Sequence, residues 1–369
     1  MSEAVRESVL EVNLSNLAHN FNYLKSKVKN GIKMLCVVKA NSYGSDAIAI
    51  AKKLHDLGAD YLAVAYAPEG KLLRENGITL PILVLHPQPV NFDLVIDFNL
   101  EPSLYSSRVL QEFIRVATKR QKTNYPVHIK FNSGLNRIGF WEQDVDHIAE
   151  KLAASKAVHV VSILSHLAAS EDHNEREFTL RQIDSFTISA NQLIQKLGYQ
   201  PILHQSNTSG ILNYPEAHFD MVRTGIGLYG YGNEARYDKD LKPIASLKSV
   251  ISQLHKLEPG ESVGYNRAFK AKDYMTSATI PLGHADGINR IYGKGRGFVY
   301  IHGEKAPIIG NVCMDMIMVD VTHIDCQEGD EVVVFDEHTS ASKLAEHAGT
   351  ISYELITAIS PRVKRVVIS

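Results

Sequence analysis

Met34-Leu35-Cys36-Val37-Val38-Lys39 is an apolar run that ends in a single lysine, and the turn sequence Ala40-Asn41-Ser42-Tyr43-Gly44 follows it directly. Burying a lysine costs free energy unless its amine is paired or neutral. Desolvation lowers the pKa of such an amine and makes it a nucleophile near neutral pH. A lysine at the end of a strand can also extend its ammonium group into solvent. By itself, the stretch is consistent with either a reactive amine or an exposed one.

Short apolar runs recur along the first part of the chain, and amphipathic stretches separate them. Ala47, Ile50, Ala51 and Leu54 have helical spacing, and a second amphipathic segment extends from Asn174 to Leu197. Strands that alternate with helices predict βαβ units and a parallel sheet. The apolar runs are Met34–Val38, Tyr61–Ala65, Ile82–Leu85, Val127–Phe131, Val158–Leu164 and Pro201–Leu203.

About eight such units fit a (β/α)8 TIM-type barrel of the α/β class, which we assign to residues 13–240. A doubly wound open sheet is the alternative fold. It is disfavoured because no G-x-G-x-x-G sequence follows the first strand.

The pattern changes after residue 240, where strand-like runs and turns replace the helical periods. Two short helices are predicted near Ser342–Ala348 and Ser352–Ile359. We therefore predict a mostly β domain over residues 241–369. The alternation over Arg6–Asn13 predicts a strand, and we expect residues 1–12 to join that domain. The predicted strands of the β domain are Ile280–Leu282, Gly297–Ile301, Ile317–Val321 and Glu331–Phe335.

The composition is that of an ordinary globular protein and excludes several classes. Among 369 residues, 39 Lys and Arg oppose 41 Asp and Glu, so the net charge of −2 gives no basic footprint for nucleic acid. Cys36, Cys313 and Cys326 have no disulfide-framework spacing, which predicts reduced thiols. The amino terminus lacks a secretory signal and no run is long enough for a membrane span, so we expect a cytoplasmic protein. None of the 16 histidines has zinc-site spacing, and we predict no metal.

In five of the predicted βα units, a polar residue occupies the same position, at the end of the apolar run. These residues are Lys39, Lys130, His166, His204 and Arg223. The carboxyl ends of all strands in a parallel barrel open at one face, where catalytic groups gather. We therefore expect these five side chains to line one site.

Two small-residue loops follow the seventh and eighth predicted units. They are Asn207-Thr208-Ser209-Gly210 and Gly225-Ile226-Gly227. Barrels often bind phosphate between these two loops, on backbone amides and hydroxyl groups. The loops could also be ordinary turns, but their position favours a phosphate site.

Val38-Lys39-Ala40-Asn41-Ser42-Tyr43-Gly44 resembles the motif that carries the pyridoxal 5'-phosphate (PLP) lysine in alanine racemases, and the resemblance covers nearly the whole chain. Further matching segments follow in the order of that family. They are 130–140 (Lys130 to Phe140), Ser165-His166-Leu167-Ala168, 204–209 (His204 to Ser209), 223–230 (Arg223 to Gly230), 263–267 (Val263 to Arg267), 283–287 (Gly283 to Gly287) and 310–315 (Gly310 to Asp315).

The resemblance implies a PLP-dependent enzyme, an isomerase that interconverts L-alanine and D-alanine and supplies D-alanine for peptidoglycan. Lys39 and Tyr265 would be the catalytic acid/base pair on opposite faces of the substrate. In the family the tyrosine comes from the partner subunit, so the resemblance also implies a homodimer with a shared active site. A buried aromatic residue with a bonded hydroxyl group is the alternative interpretation of Tyr265.

The remaining site residues are likewise implied by the resemblance. Arg223 would face the pyridine nitrogen of PLP, and because arginine cannot accept a proton, that nitrogen would stay unprotonated. Lys130 would be carbamylated, which turns a cation beside Arg137 into an anion. The cofactor-binding set is Lys39, Tyr43, His166, Asn207, Thr208, Arg223, Gly225, Ile226 and Tyr353, and the substrate-binding set is Arg137, Met314 and Asp315.

Other functions stay open at this point. One is a racemase of the same fold with broad or different amino-acid specificity. Another is a non-catalytic PLP-binding homeostasis protein, although such proteins resemble the barrel half alone. A fold-related decarboxylase or aldolase is a third class, and Arg223 disfavours the decarboxylase. The chain departs from the usual family residues at Ser45, Asp46, Asn132 and His284.

Overall fold

The computed structural model describes residues 7–369 and divides into two compact units. The barrel unit comprises Ala18–Ser42 and Ala47–Leu241, and the β unit comprises Tyr43–Asp46, Lys242–Ser369 and the described part of Met1–Leu17. Arg6, the first residue of the predicted opening strand Arg6–Asn13, lies outside the described residues, as do residues 1–5. Among residues 7–369, no helix combines the length and apolar character that crossing a membrane requires.

The barrel unit contains an eight-stranded parallel sheet in which strands that are consecutive along the chain lie side by side. After β1 (Ser8–Asn13), its strands are β2 (Lys33–Val37), β3 (Tyr61–Val64), β4 (Ile82–Val84), β5 (Glu101–Leu104), β6 (Tyr125–Lys130), β7 (Val158–Leu164), β8 (Ile202–His204) and β9 (Met221–Thr224). The order runs from β8 back to β2 and then to β9, so it lacks the reversal of a doubly wound sheet. The TIM-type prediction is confirmed.

Two hydrogen bonds between β8 and Asp220, the residue before β9, bring the two ends of this sheet together. The Asp220 N–H donates to the Leu203 carbonyl at 3.1 Å, and the Leu203 N–H donates to the Asp220 carboxylate at 2.8 Å. The strands therefore form a nearly closed barrel, and their carboxyl ends open at one face.

Helices separate the barrel strands. They are α1 (Leu14–Ser26), α2 (Ala47–Asp56), α3 (Ala67–Glu75), α4 (Phe92–Asp97), α5 (Ser107–Lys119), α6 (Val145–Ala153), α7 (Arg176–Leu197), α8 (Thr208–Asn213) and α9 (Ala235–Asp238). In α2, Ala47, Ile50, Ala51 and Leu54 are buried, as their spacing predicts. The predicted helix over Asn174–Leu197 begins at Arg176, after a short 3-10 turn, and ends at Gly198, whose φ is 74°.

The β unit is built on a nine-stranded mixed sheet with the order β11-β14-β17-β16-β15-β18-β10-β1-β19, and β12 pairs with β13 separately. In it, β1 lies antiparallel to β10 and parallel to β19. The added strands are β10 (Ala245–Val250), β11 (Gln253–Leu257), β12 (Ser262–Val263), β13 (Phe269–Lys270), β14 (Met275–Ile280), β15 (Phe298–Ile301), β16 (Glu304–Ile309), β17 (Ile317–Asp320), β18 (Glu331–Phe335) and β19 (Lys364–Ile368), with helices α10 (Ala341–His347) and α11 (Ser352–Ala358). The mostly β prediction is confirmed.

Candidate active site

The five polar residues expected at the strand ends occupy that position in the barrel. Lys130 and His204 are the last residues of β6 and β8, and Arg223 is the third of the four residues of β9. Lys39 and His166 each lie two residues beyond a strand, after β2 and β7. Because all of these strands are parallel, the five residues lie toward the same face of the barrel unit.

Arg223 is the centre of the hydrogen bonding at this face and is buried, with 4% of its surface exposed. Its Nη1 donates to Nδ1 and the carbonyl oxygen of His204 at 2.8 and 3.1 Å. Its Nη2 donates to the carbonyls of Ser165 and Gln205 and to Nδ1 of His166 at 3.0 Å. Among residues 7–369, the Nε–H donates to no protein group. One donor of a buried guanidinium is thus left for a bound acceptor.

The contact with Arg223 determines the protonation of His166. A guanidinium group has no acceptor, so Nδ1 of His166 must accept and a neutral ring carries its proton on Nε2. Burial, followed by the charges of Arg223 and Lys130, holds the pKa of His166 well below its usual value. His166 is therefore a neutral imidazole at physiological pH and cannot neutralise a nearby anion.

Four basic side chains interact electrostatically at this face: Lys39, Lys130, Arg137 and Arg223. Burial and then Arg137 lower the pKa of Lys39, whereas Glu69 opposes the shift. Burial, followed by Arg137, Arg223 and Lys39, lowers the pKa of Lys130 to about 7. Burial and Arg137 lower the pKa of Arg223 to about 9, which leaves it charged at neutral pH. This concentration of positive charge favours an anionic ligand.

The segment after Lys39 is a left-handed helical turn. Ala40, Asn41, Ser42 and Tyr43 have φ between 51° and 53°, and Gly44 has φ of 83°. Each non-glycine residue in this conformation costs roughly 1–2 kcal/mol. At Gly44, a Cβ atom would lie 2.1 Å from the Ile356 carbonyl oxygen, so no other residue fits. Strain of this kind persists where surrounding contacts enforce it.

Glu69 makes such contacts, and the sequence reasoning missed it. Its carboxylate accepts from the N–H of Ala40 at 2.6 Å and from the N–H groups of Ala65 and Tyr66 at 2.7 and 3.0 Å. It thereby ties the left-handed turn after Lys39 to the end of β3. A signal was present, because Pro68 and Glu69 in the first turn of α3 are typical of a helix start.

Glu69→Gln should destabilise the protein by about 1–2 kcal/mol, because an amide NH2 would then face a backbone N–H donor. Urea-induced unfolding, followed by circular dichroism, measures the change. Glu75→Gln is the matched control, since Glu75 is on the same helix and pairs with Lys71 at 3.0 Å on the surface. Equal stability of the two variants would contradict a role for Glu69 in holding the turn.

The two predicted phosphate loops contact each other in the barrel unit. Oγ1 of Thr208 accepts from the N–H groups of Gly225 and Gly227, each at 3.2 Å. With its acceptor positions engaged, the hydroxyl hydrogen of Thr208 is left to donate. Ile226 opens a 3-10 turn, so its N–H is not needed inside that turn. A Cβ atom on Gly227 would lie 2.6 Å from Cγ2 of Thr208, so this contact requires glycine.

Asn207 has a local structural role at the start of α8. Its Oδ1 accepts from the N–H of Gly210 and from the Ser170 hydroxyl, both at 2.8 Å. The side chain therefore caps the helix that carries Thr208. This placement holds the predicted phosphate loop in shape.

Tyr43 and Tyr353 are together in the β unit. Their ring centroids are 6.0 Å apart and their planes are tilted by 51°. Tyr43 is buried, and burial raises the pKa of its phenol, so the group is protonated at neutral pH and can donate a hydrogen bond. Both residues belong to the predicted cofactor-binding set, and the structure brings this pair together.

Tyr265, Met314 and Asp315 line one groove of about 590 Å³ in the β unit. The side chains of Tyr265 and Met314 are 74% and 59% exposed. Asp315 is held differently, because its carboxylate accepts from Arg362 at 2.7 Å. The structure therefore brings these three predicted residues together, with an exposed phenol and an exposed thioether beside an ion pair.

Comparisons with known proteins extend over the whole length of the chain. The family models for the alanine racemase N-terminal domain and the alanine racemase C-terminal domain match residues 12–233 and 244–367. The alanine racemase of Thermodesulfovibrio yellowstonii is 35% identical over 363 residues, which cover 96% of this chain and 96% of the relative.

Two solved structures show the same architecture. The alanine racemase of Clostridium difficile 630 has a TM-score of 0.92 and 35% identity, and the match covers 99% of this chain and 97% of that chain. The alanine racemase of Bartonella henselae, solved with covalently bound pyridoxal phosphate, has a TM-score of 0.89 and 28% identity, over 98% of this chain and 100% of that chain. With both domain models matched and these relatives aligned end to end, this chain belongs to the alanine racemase family.

Proposed function

We propose that this chain interconverts L-alanine and D-alanine with Lys39 and Tyr265 as the two groups that transfer the α-proton. Alanine racemase is an isomerase activity, and PLP is its cofactor. The observation that carries the residue assignment is the cluster of basic side chains around Lys39, in which burial of the amine and the charge of Arg137 lower its pKa. Such an amine has the neutral form that covalent attachment and proton transfer both need.

The residues of the barrel unit fit PLP. Lys39 would hold it covalently, and the Nε–H of Arg223 would face its ring nitrogen. Thr208 offers a hydroxyl hydrogen, and Gly225 and Ile226 lie beside it to cradle the phosphate. When bound, PLP weakens the Cα–H bond of the amino acid by withdrawing electrons. We propose that His166 and Asn207 of the same unit complete this set, and Tyr43 and Tyr353 of the β unit stay predicted cofactor contacts.

The side chains divide the proton transfer between them. The Lys39 amine takes or returns the α-proton on one face, and the Tyr265 phenol acts on the opposite face. Arg223 donates to His166, which stays neutral and so adds no further positive charge to the site. Arg223 stays cationic and accepts no proton, so the ring nitrogen that it would face stays unprotonated. The cofactor would then withdraw electrons less strongly than one whose ring nitrogen faces a carboxylate. Arg137, Met314 and Asp315 would bind the substrate.

We propose that the active protein is a homodimer in which Tyr265 serves the barrel of the partner subunit. The exposure of Tyr265, Met314 and Met316, at 74%, 59% and 49%, supports a surface that another chain covers. We also propose that residues 13–240 form the PLP-binding barrel and that residues 241–369 form the β domain, which residues 1–12 join. The proposed location is the cytoplasm, where the protein would supply D-alanine for peptidoglycan.

A panel of amino acids in deuterated water, analysed by chiral separation, tests this function. Alanine should exchange its α-proton and invert, starting from either enantiomer. Strong exchange with many amino acids but little with alanine would favour a racemase of different specificity. Binding of PLP without exchange of any substrate would favour the non-catalytic PLP-binding protein.

Lys130 should be carbamylated, and the modification should increase as pH rises. Lys130 is 7% exposed, and its pKa near 7 makes the neutral amine predominant above that pH. The neutral amine attacks CO2, a nitrogen–carbon bond forms and one proton leaves, which puts an anion beside Arg137. From pH 6 to pH 8 the neutral fraction rises about tenfold, and carbamate should rise with it.

Carbon-13 NMR in labelled bicarbonate measures this carbamate. Lys130→Ala should remove the signal, and Lys151→Ala, at a partly exposed lysine on the surface of α6, should leave it unchanged. An unmodified ammonium group beside Arg137 at pH 8 in the presence of CO2 would contradict the assignment.

A further inference from the structure

A continuous series of hydrogen bonds crosses the interior of the barrel and ends at Arg223. It takes one residue from each of five neighbouring strands, β5 to β9, and we call it the Glu101–Arg223 network: Glu101, His128, Ser162, His204 and Arg223. The successive distances are 2.9 Å from Glu101 Oε2 to His128 Nε2, 2.5 Å from His128 Nδ1 to Ser162 Oγ, 2.9 Å from Ser162 Oγ to His204 Nε2, and 2.8 Å from His204 Nδ1 to Arg223 Nη1.

Arg223, which only donates, and the Glu101 carboxylate, which only accepts, set the directions of the hydrogen bonds from the two ends of the network. Because guanidinium only donates, Nδ1 of His204 accepts, and the proton of the neutral ring lies on Nε2. That N–H donates to Ser162, whose hydroxyl then donates to Nδ1 of His128. The remaining N–H of His128, on Nε2, donates to the Glu101 carboxylate. All members therefore donate in the same direction, from the guanidinium toward the carboxylate.

The network connects the buried guanidinium of Arg223 with the partly exposed carboxylate of Glu101, and the two groups do not touch. Arg223 forms no salt bridge with a carboxylate among residues 7–369, and Glu101, with a side chain 13% exposed, lies at the amino end of β5. His128 and His204 are 0% exposed and Ser162 is 1% exposed. In a dry interior, aligned hydrogen bonds polarise one another, and one unsatisfied member costs far more than in water. Loss of one hydrogen bond of the network should therefore change the orientation of the Arg223 guanidinium.

We propose that Glu101, His128 and Ser162 are positioning residues, which hold His204 as the Nε2–H tautomer and so orient the guanidinium of Arg223. In the other tautomer, the Nδ1–H of His204 would oppose the Nη1 donor of Arg223, and the guanidinium would have to move. This inference rests on the proposed function, in which Arg223 faces the ring nitrogen of PLP. Three further residues, from β5, β6 and β7, would then stabilise the contact between Arg223 and that nitrogen.

Ser162→Ala tests the network, and Ser103→Ala is its matched control. Ser103 is also a buried barrel serine, 0% exposed, and its Oγ has no hydrogen-bond partner among the described residues. Each variant loses one buried oxygen, but Ser162→Ala alone breaks the network. Ser162→Thr keeps the hydroxyl group and should restore the wild-type behaviour.

Nitrogen-15 NMR of the histidine rings in the full-length protein, with and without PLP, reports the tautomer of His204. Its signal is identified by its loss in His204→Gln. Wild type and Ser103→Ala should show Nε2–H alone, and Ser162→Ala should show a mixture. PLP titration, followed by absorbance, should show affinity weakened about tenfold in Ser162→Ala compared with Ser103→Ala.

An Nδ1–H tautomer of His204 in the wild type would overturn the proposal even if no variant folded. Identical tautomers and PLP affinities in the two alanine variants would overturn it as well. The tautomer measurement needs no turnover, so it stands whether or not the protein racemises alanine. Conversely, full racemase activity with the wrong tautomer would refute the network and leave the proposed function intact.

Discussion

Lys39→Ala should lower kcat for racemisation of L-alanine by about 10⁴-fold or more, because one side chain supplies both the covalent attachment and one proton-transfer group. The methyl group that remains can do neither. The absorbance of covalently bound cofactor should disappear in the same variant, while PLP can still bind reversibly through the phosphate loops. Steady-state kinetics and the absorption spectrum of the purified protein measure the two effects.

Lys33→Ala is the matched control for this substitution. Lys33 opens the strand β2 that leads to Lys39, and its amine pairs with Asp60 at 3.7 Å, with 45% of the side chain exposed. Exposed ion pairs contribute little to stability, so kcat should stay within about twofold of the wild type. Covalently bound cofactor in Lys39→Ala would show that another amine carries it, and the assignment of Lys39 would be wrong.

Tyr265→Phe should lower kcat by about 10²–10⁴-fold, since it removes a general acid/base and leaves the ring in place. The side chain is 74% exposed, so the substitution should not disturb the core of the β unit. In deuterated water, one alanine enantiomer should still exchange its α-proton through Lys39, whereas inversion should be lost. Such exchange without inversion distinguishes a lost second base from general damage to the site.

Tyr274→Phe controls for the loss of an exposed phenol, because Tyr274 is also in the β unit and is 73% exposed. It should behave as the wild type. If Tyr265→Phe inverts alanine as fast as Tyr274→Phe does, the proton on the second face must come from another group.

Mixing the two inactive variants tests the shared site. A heterodimer of Lys39→Ala and Tyr265→Phe subunits has one site with both wild-type groups if Tyr265 acts on the partner's barrel. Random exchange of subunits should then restore about a quarter of the wild-type activity, because half of the dimers are mixed and half of their sites are intact. If Tyr265 acts within its own chain, every site lacks one group and mixing should restore nothing.

Element prediction from the sequence succeeded where apolar residues form a run with clear ends. The bounds of β7 (Val158–Leu164) and β18 (Glu331–Phe335) agree with the predicted segments to the residue. It missed β5 (Glu101–Leu104), because a carboxylate and a proline occupy its first two positions and leave no run to recognise. The neighbouring strands of the barrel, β4 and β6, impose the strand conformation on this segment. The residues of the segment itself do not show that these strands flank it.

The sequence alone, through its resemblance to the alanine racemase family, indicated the kind of chemistry and the residues expected to perform it. Lys39 after an apolar run, two small-residue loops and an arginine at the eighth unit can all be read along the chain, because each is a local pattern at a strand end. The tertiary structure decided what holds those groups in place. Glu69 reaches back 29 residues to Ala40, and Glu101 is linked to Arg223 through His128, Ser162 and His204. Hydrogen bonds between side chains of different strands depend on which side chains point into the barrel at the same level along its axis. The spacing of residues along one strand does not determine which residues of the other strands lie at that level.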